Sequence, residues 1–183
     1  MPEVVFLLEE PSAKAMMEGL LPKLLAEGYY PRYIVFEGKQ DLEKQMVRRM
    51  RGYLTPGALF FVLRDKDSQD CHEVKETLRA KCIEAGKDSA TVRVACHELE
   101  SWYLADLAAV EQALDVRGLA KRQAERQCAN PDQYPGPSRT LAQMVPSYQK
   151  VSGSRAIGPF LDPDNSRSRS FFNFVNAVRR IGS

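Results

Sequence analysis

The chain has 183 residues, of which 44% are hydrophobic and 27% charged, with a net charge of +2. This is the balance of a globular protein; it excludes a disordered chain, a collagen-like fibre and a disulfide-stapled miniprotein. The longest apolar runs, residues 4–8 and 58–63, are five and six residues long, far short of the roughly 20 that span a bilayer.

Four short runs read as buried strands: residues 4–8, 33–36, 58–63 and 91–95. Each is apolar almost throughout rather than alternating, the pattern of parallel strands covered on both faces. Between them lie helical patterns. Pro11 suits a first helical position, and Ala15, Met16, Leu20, Leu21 and Leu24 form an apolar stripe that stops near Gly28. Residues 41–51 make a second helix, with Leu42, Met46 and Met50 inward, and residues 73–85 a third, closed by Gly86. The order β-α-β-α-β-α-β predicts a parallel sheet with right-handed crossovers. Residues 98–114 then read as one long helix carrying Trp102, Leu104, Leu107 and Val110. A basic helical stretch, 119–128, leads into the proline-rich turns of 130–138. Short helical pieces are expected at 140–145 and 152–160. A last amphipathic helix runs through Phe171, Phe174, Val175 and Val178, with Ser166, Ser168 or Ser170 as its cap.

The small net charge conceals an asymmetry. Residues 1–116 carry 15 Lys and Arg against 20 Asp and Glu, a balance of −5; residues 117–183 carry 11 against 4, a balance of +7. By charge count alone a basic final third reads as a solvated helical face; beside a metal site in the acidic part it points to a polyanionic partner such as nucleic acid. Glu9 and Glu10 end the first apolar run too early for a secretory leader, so a cytoplasmic protein is expected. Cys71, Cys82, Cys96 and Cys128 form no CxxC pair and read as free thiols.

In an open parallel sheet, functional residues gather at the carboxyl ends of strands. Here the first strand ends in Glu9-Glu10, the third in Arg64-Asp65-Lys66-Asp67 and the fourth in Cys96-His97-Glu98-Leu99-Glu100. Three strands therefore deliver carboxylates to one rim, where a divalent cation is their natural counter-charge. In extended backbone, Asp65 and Asp67 point to the same side and can share one ion. Oxygen ligands favour Mg²⁺ or Mn²⁺ over zinc. Asp70 reads instead as a helix cap, and Glu10 as a charge at the positive end of a helix.

Glu9 after a first strand, with Asp65-x-Asp67 after the third, resembles the Toprim metal fold of topoisomerases, primases and overcoming-lysogenization-defect nucleases. More closely, four segments resemble a bacterial family known as domain of unknown function 4276. They are Leu8-Glu9-Glu10-Pro11-Ser12-Ala13-Lys14, Arg64-Asp65-x-Asp67-Ser68, Glu98-Leu99-Glu100-Ser101-Trp102-Tyr103-Leu104-Ala105-Asp106 and Tyr148-Gln149-Lys150-Val151. The resemblance covers nearly the whole chain. It implies a Toprim-like (Rossmann-like) α/β domain at 1–116, with a four-stranded parallel sheet, and a basic helical extension at 117–183 packed on it. It also implies metal-dependent phosphodiester chemistry in a bacterial defence setting, with an ATPase as partner. One position departs: many Toprim proteins have Glu-Gly where this chain has Glu9-Glu10.

The expected roles follow from the chemistry. Asp65 and Asp67 hold a first cation, and Glu9 shares it or acts as general base toward water. Glu98 and Glu100 are about 200° apart on a regular helix, so they support a second ion only if Glu98 stays at the strand end. Lys150 and Arg155 are candidates for phosphate contact. Trp102 either anchors the core or stacks a base. A phosphate loop at residues 36–40 is excluded, because the first glycine and the final Ser/Thr of that motif are missing. The pairs Cys71-His72 and Cys96-His97 lack zinc-ligand spacing. Two other readings fit the same residues: a non-catalytic metal-binding subunit that docks an ATPase or nucleic acid, and phosphoryl transfer on a small nucleotide.

Overall fold

A computed structural model describes residues 2–181. Four strands, β1 (Glu3–Leu8), β2 (Tyr30–Val35), β3 (Leu59–Asp65) and β4 (Thr91–Ala95), form one parallel sheet in the order β2-β1-β3-β4. The strand period of two explains why β1 and β3 are apolar throughout. Val4, Phe6, Leu8, Phe61 and Leu63 enter one core; Val5, Leu7, Phe60 and Val62 enter another on the opposite face. Helices α2 (Lys39–Arg51) and α3 (Cys71–Glu84) supply Leu42, Met46, Met50, Val74 and Leu78 to the second core. Asp70 caps α3 by accepting the amides of His72 and Glu73 at 2.8 and 3.1 Å.

The first core is larger and joins α1 (Pro11–Leu20) to the whole C-terminal region. The helix expected over 98–114 is broken into α4 (Glu100–Leu104) and α5 (Leu107–Leu114). Asp106 leaves helical geometry (φ −137°, ψ 67°), and its carboxylate accepts the amides of Ala109 at 3.2 Å and Asp162 at 2.8 Å. Gln123 mends the break. Its amide bonds the Leu107 N–H and the Leu104 carbonyl, at 2.8 and 2.9 Å, and the Cys128 carbonyl at 2.8 Å. The stretch around Gln123 is therefore not one basic helix. It consists of a 3-10 turn at Ala120–Arg122 and the short α6 (Arg126–Ala129).

Helices α7 (Pro137–Met144), α8 (Lys150–Ile157) and α9 (Arg169–Arg179) complete the chain. α8 and the turn after it lie directly on α1. A Cβ at Gly158 would overlap the Met16 carbonyl, and one at Gly19 would overlap the Pro159 ring. Ser168 caps α9 by accepting the Phe171 amide at 3.1 Å. Trp102 is fully buried, with ring centroids 5.3 Å from Phe171 and 5.0 Å from Phe174, and its N–H donates to Ser170 Oγ at 2.9 Å. It anchors the core and is closed to a stacking base. Among the described residues no helix is long and apolar enough to cross a membrane.

Candidate active site

The sheet register sets the site. Leu8 pairs with Leu63, so Glu9 emerges beside the end of β3, and its Oε2 accepts the Asp65 N–H at 3.1 Å. Past Asp65, the Lys66 N–H donates to the Ala95 carbonyl at 3.0 Å and the Asp67 N–H to the His97 carbonyl at 2.8 Å. These bonds lace the loops after β3 and β4 together. Both loops turn sharply there: φ is +53° at Asp67 and +61° at His97. The backbone is thus not extended through Asp67, and the strand argument for two parallel carboxylates stops at Asp65. Asp65 points into buried space, while the Asp67 carboxylate reaches out to Lys39, at the start of α2, at 2.7 Å.

Glu98 and Glu100 also separate, one outside a helix and one inside it. Glu98 sits in the bend before α4, where its Oε2 accepts the Ser138 amide at 2.9 Å. Glu100 opens α4 and is 1% exposed. Its Oε1 accepts the Tyr148 hydroxyl at 3.1 Å, and its Oε2 is buried with no hydrogen-bond partner among the described residues. Lys150, at the start of α8, donates to Glu10 at 2.8 Å, and Glu10 also accepts the Ser12 hydroxyl at 2.7 Å. Lys150 is therefore committed to the carboxylate rim and does not begin a separate basic track. Arg155, five residues on, is about 140° further around the helix and faces solvent.

The acids outnumber their counter-charges, and their proton affinities record it. Burial pushes the Asp65 carboxyl well above its ordinary range, and Glu9, Glu10 and Glu100 push it further against the pull of Lys150. Burial likewise raises Glu9; the Asp65 amide opposes this, and Asp67 and Glu10 add to it. Glu100 is raised by burial, with Lys150 and the Tyr148 hydroxyl opposing and Glu98 reinforcing. Burial disfavours the Lys150 ammonium, yet Glu10, Glu100 and Asp65 outweigh it and raise its pKa. Arg64, 2% exposed, lies beneath this group and pairs with Glu43, with Gln69 and, at 3.9 Å, with Glu9.

Four members of this site went unread in the sequence. A charged residue at the end of an apolar strand, Arg64, is a signal of buried carboxylates nearby. Lys39 stood in the stretch set aside as a failed phosphate loop. Tyr148 was visible only as part of a motif, and Glu10 only as a helix-end charge.

The donor set fits a hard divalent cation in chemistry and in charge: the surplus donors are carboxylate oxygens, one of them buried and unpartnered. It is not gathered into a finished coordination shell. Among the described residues no three Asp, Glu, His or Cys side chains are placed to hold one ion. All four cysteines are free. Burial, with Asp132 and Cys71, pushes the Cys96 thiol up to about 12, so it is protonated at neutral pH and unsuited to nucleophilic attack.

Among solved structures, the chain is similar to the C-terminal region of the Burkholderia pseudomallei OLD protein. The match covers 98% of both chains at 12% sequence identity, with a TM-score of 0.54. At that identity the likeness is one of fold, and the fold is Toprim-like: a parallel α/β sheet followed by a C-terminal helical region. No curated protein matches the chain. The sequence, however, matches the family described as Domain of unknown function (DUF4276) from residue 8 to residue 179, and the chain belongs to that family.

Proposed function

We propose that the protein is a Mg²⁺- or Mn²⁺-dependent nuclease that hydrolyses phosphodiester bonds of DNA or RNA at this rim. The observation that carries the reading is the meeting of Glu9 and Asp65 at the ends of β1 and β3, where Glu9 Oε2 accepts the Asp65 N–H at 3.1 Å, among carboxylates whose proton affinity burial raises. Carboxylates held together above their ordinary range are an arrangement that a cation relieves. Asp65 and Glu9, with Asp67 beside them, would hold the ion, and Glu98 and Glu100 border it. When bound, such an ion polarises a scissile phosphate and offsets the charge on the leaving oxygen.

The chain's own residues supply the rest. Glu9, whose proton affinity burial raises, would act as general base toward the attacking water wherever it does not itself ligate the ion. Lys39 and Lys150 stand at the edges of the acid group, paired with Asp67 and Glu10, where their ammonium groups would be within reach of a phosphate bound at the rim. Arg64, 3.9 Å from Glu9, adds a buried positive charge beside it. A second reading, a metal-binding subunit without catalysis, is favoured by one observation: Asp67 and Glu10 are already neutralised by lysines.

Incubating the purified protein with single-stranded DNA, duplex DNA and RNA, in EDTA and then in Mg²⁺ or Mn²⁺, separates the two. Cleavage that needs metal and disappears in Asp65→Asn supports the nuclease. Binding without cleavage under every metal condition removes it in favour of the second reading.

A further inference from the structure

A groove of about 890 Å³ lies beyond β4, with Lys75, Arg93, Cys96, Asp132, Arg167 and Arg169 among its walls. β4 is an edge strand. The Ala95 carbonyl faces β3, where it accepts from Lys66. By the alternation of a parallel ladder, the peptide groups of Val92, Val94 and Cys96 face the other way, into the groove. The start of α9 forms the opposite wall, joined to Asp132 through Ser168 and Ser170 at 2.7 and 2.8 Å.

The groove's charge is the reverse of the rim's. Among the described residues, none of Lys75, Arg93, Arg167 and Arg169 has an ion pair with a carboxylate. Asp132 is the single acid on the walls, and its oxygens are taken by the two serines. Arg180 adds to the positive field at Arg93. Lys75, Arg167 and Arg169 are exposed, whereas Arg93 is held against the edge strand. Lys39 and Lys150 of the rim, by contrast, are each paired with an acid.

We propose that this groove binds the sugar–phosphate backbone of a nucleic acid, with Lys75, Arg167 and Arg169 on phosphate oxygens and Arg93 beneath them. The inference rests on the nucleic-acid reading above and gives the strand its path. Cys96 lines the groove at the end of β4, and the next residue, His97, accepts the Asp67 amide through its carbonyl, so this end of the groove adjoins the loop that carries Asp67. An acidic peptide is the competing polyanion, and it would enter by pairing with β4. Two of the peptide groups that such pairing would use are already taken. The Arg93 guanidinium donates to the Val92 carbonyl at 2.8 Å and to the Asn173 carbonyl at 3.2 Å, and the Cys96 amide donates to Ser170 Oγ at 3.2 Å.

The test is a salt titration of binding by the full chain in EDTA, read by anisotropy of labelled oligothymidylate and of a labelled DNA duplex. The double variant Lys75→Ala with Arg169→Ala changes two exposed side chains, and melts of it and of the corresponding Gln double variant verify the fold. Two lost phosphate contacts lower the salt slope by about 1.4 on a single strand or about 1.8 on a duplex; whichever probe shows the loss is the form the groove takes. An unchanged slope on both probes overturns the groove, and metal-dependent cleavage that persists then leaves the nuclease standing. A reduced slope in a protein that never cleaves keeps the groove and removes the nuclease. Displacement of the probe by polyglutamate at equal charge concentration overturns the nucleic-acid assignment in favour of an acidic protein.

Discussion

Glu100→Gln isolates the electrostatic cost of the rim. The substitution keeps the acceptor that receives the Tyr148 hydroxyl and removes a charge whose second oxygen is buried without a partner. A buried unsatisfied polar group costs about 1–3 kcal/mol. The new amide N–H₂ also needs a partner, so the net gain should fall in the lower part of that range, about 1–2 kcal/mol. In a chain of this size that is a rise in Tm of about 2–8 °C at neutral pH in metal-free buffer. The pH profile gives a sharper readout. Burial raises the Glu100 pKa in the fold, so its stability contribution is complete below the unfolded value, about 4.3, and is lost as pH rises through the folded value. Gln does not titrate. The variant and the parent should therefore melt together near pH 4 and separate toward neutrality. Tyr148→Phe should act in the opposite sense, because it removes the hydroxyl that donates to Glu100. Parallel pH profiles for parent and Glu100→Gln, with equal Tm at pH 7, would refute the claim that this carboxylate is held at a cost.

Metal should reverse the same penalty. Mg²⁺ or Mn²⁺ at 100 times its Kd should stabilise the fold by about 2.7 kcal/mol, and the gain should shrink as acid protonates Glu9, Asp65 and Glu100. Thermal melts of Asp65→Asn should show no metal-induced shift at any pH. Gly158→Ala should destabilise by about 1–3 kcal/mol through overpacking, because its Cβ would overlap the Met16 carbonyl; a denaturant midpoint equal to the parent's would show that α8 and α1 separate freely.

The fold was legible where the information is local. β1 and β3 announce themselves because strands covered on both faces have no polar alternation, and Asp70 announces the start of α3 by its capping chemistry. The break at Asp106 was illegible, since the residue looks like any polar position on a helix. What breaks the helix there lies far along the chain: Asp162 and Asn165 bond Asp106 and Ala105 from 56 and 60 residues away. The site divides in the same way. Strand ends predict that Glu9 and Asp65 meet, because register alone brings them together. The positive φ of Asp67 depends on the loop after β4 and could not be read from a D-x-D spacing. Counting charges by thirds assigned Lys150 to a nucleic-acid surface, although its partner is Glu10, 140 residues earlier. The same count was more informative for Arg167 and Arg169, which line the groove without acidic partners.

The C-terminal region is as much a part of the site as the sheet is. The sheet supplies acids from β1 and β3, and α4 adds another; no strand supplies an ammonium to balance them. Lys150 supplies the ammonium and Tyr148 a hydroxyl donor, from either side of the turn into α8, and both reach the rim because α8 packs on α1. That contact depends on small residues. Gly19 and Gly158 let the helix and the following turn approach until Met16 and Pro159 fill the space a side chain would need. Since α1 begins two residues after Glu9, the surface that seats α8 also fixes the direction in which Glu9 leaves β1. Packing of the last helices and charge balance at the rim are therefore one coupled arrangement. Loosening α8 would withdraw Lys150 from Glu10 and the Tyr148 hydroxyl from Glu100 together, leaving the raised carboxylates with protons or a cation as their remaining relief.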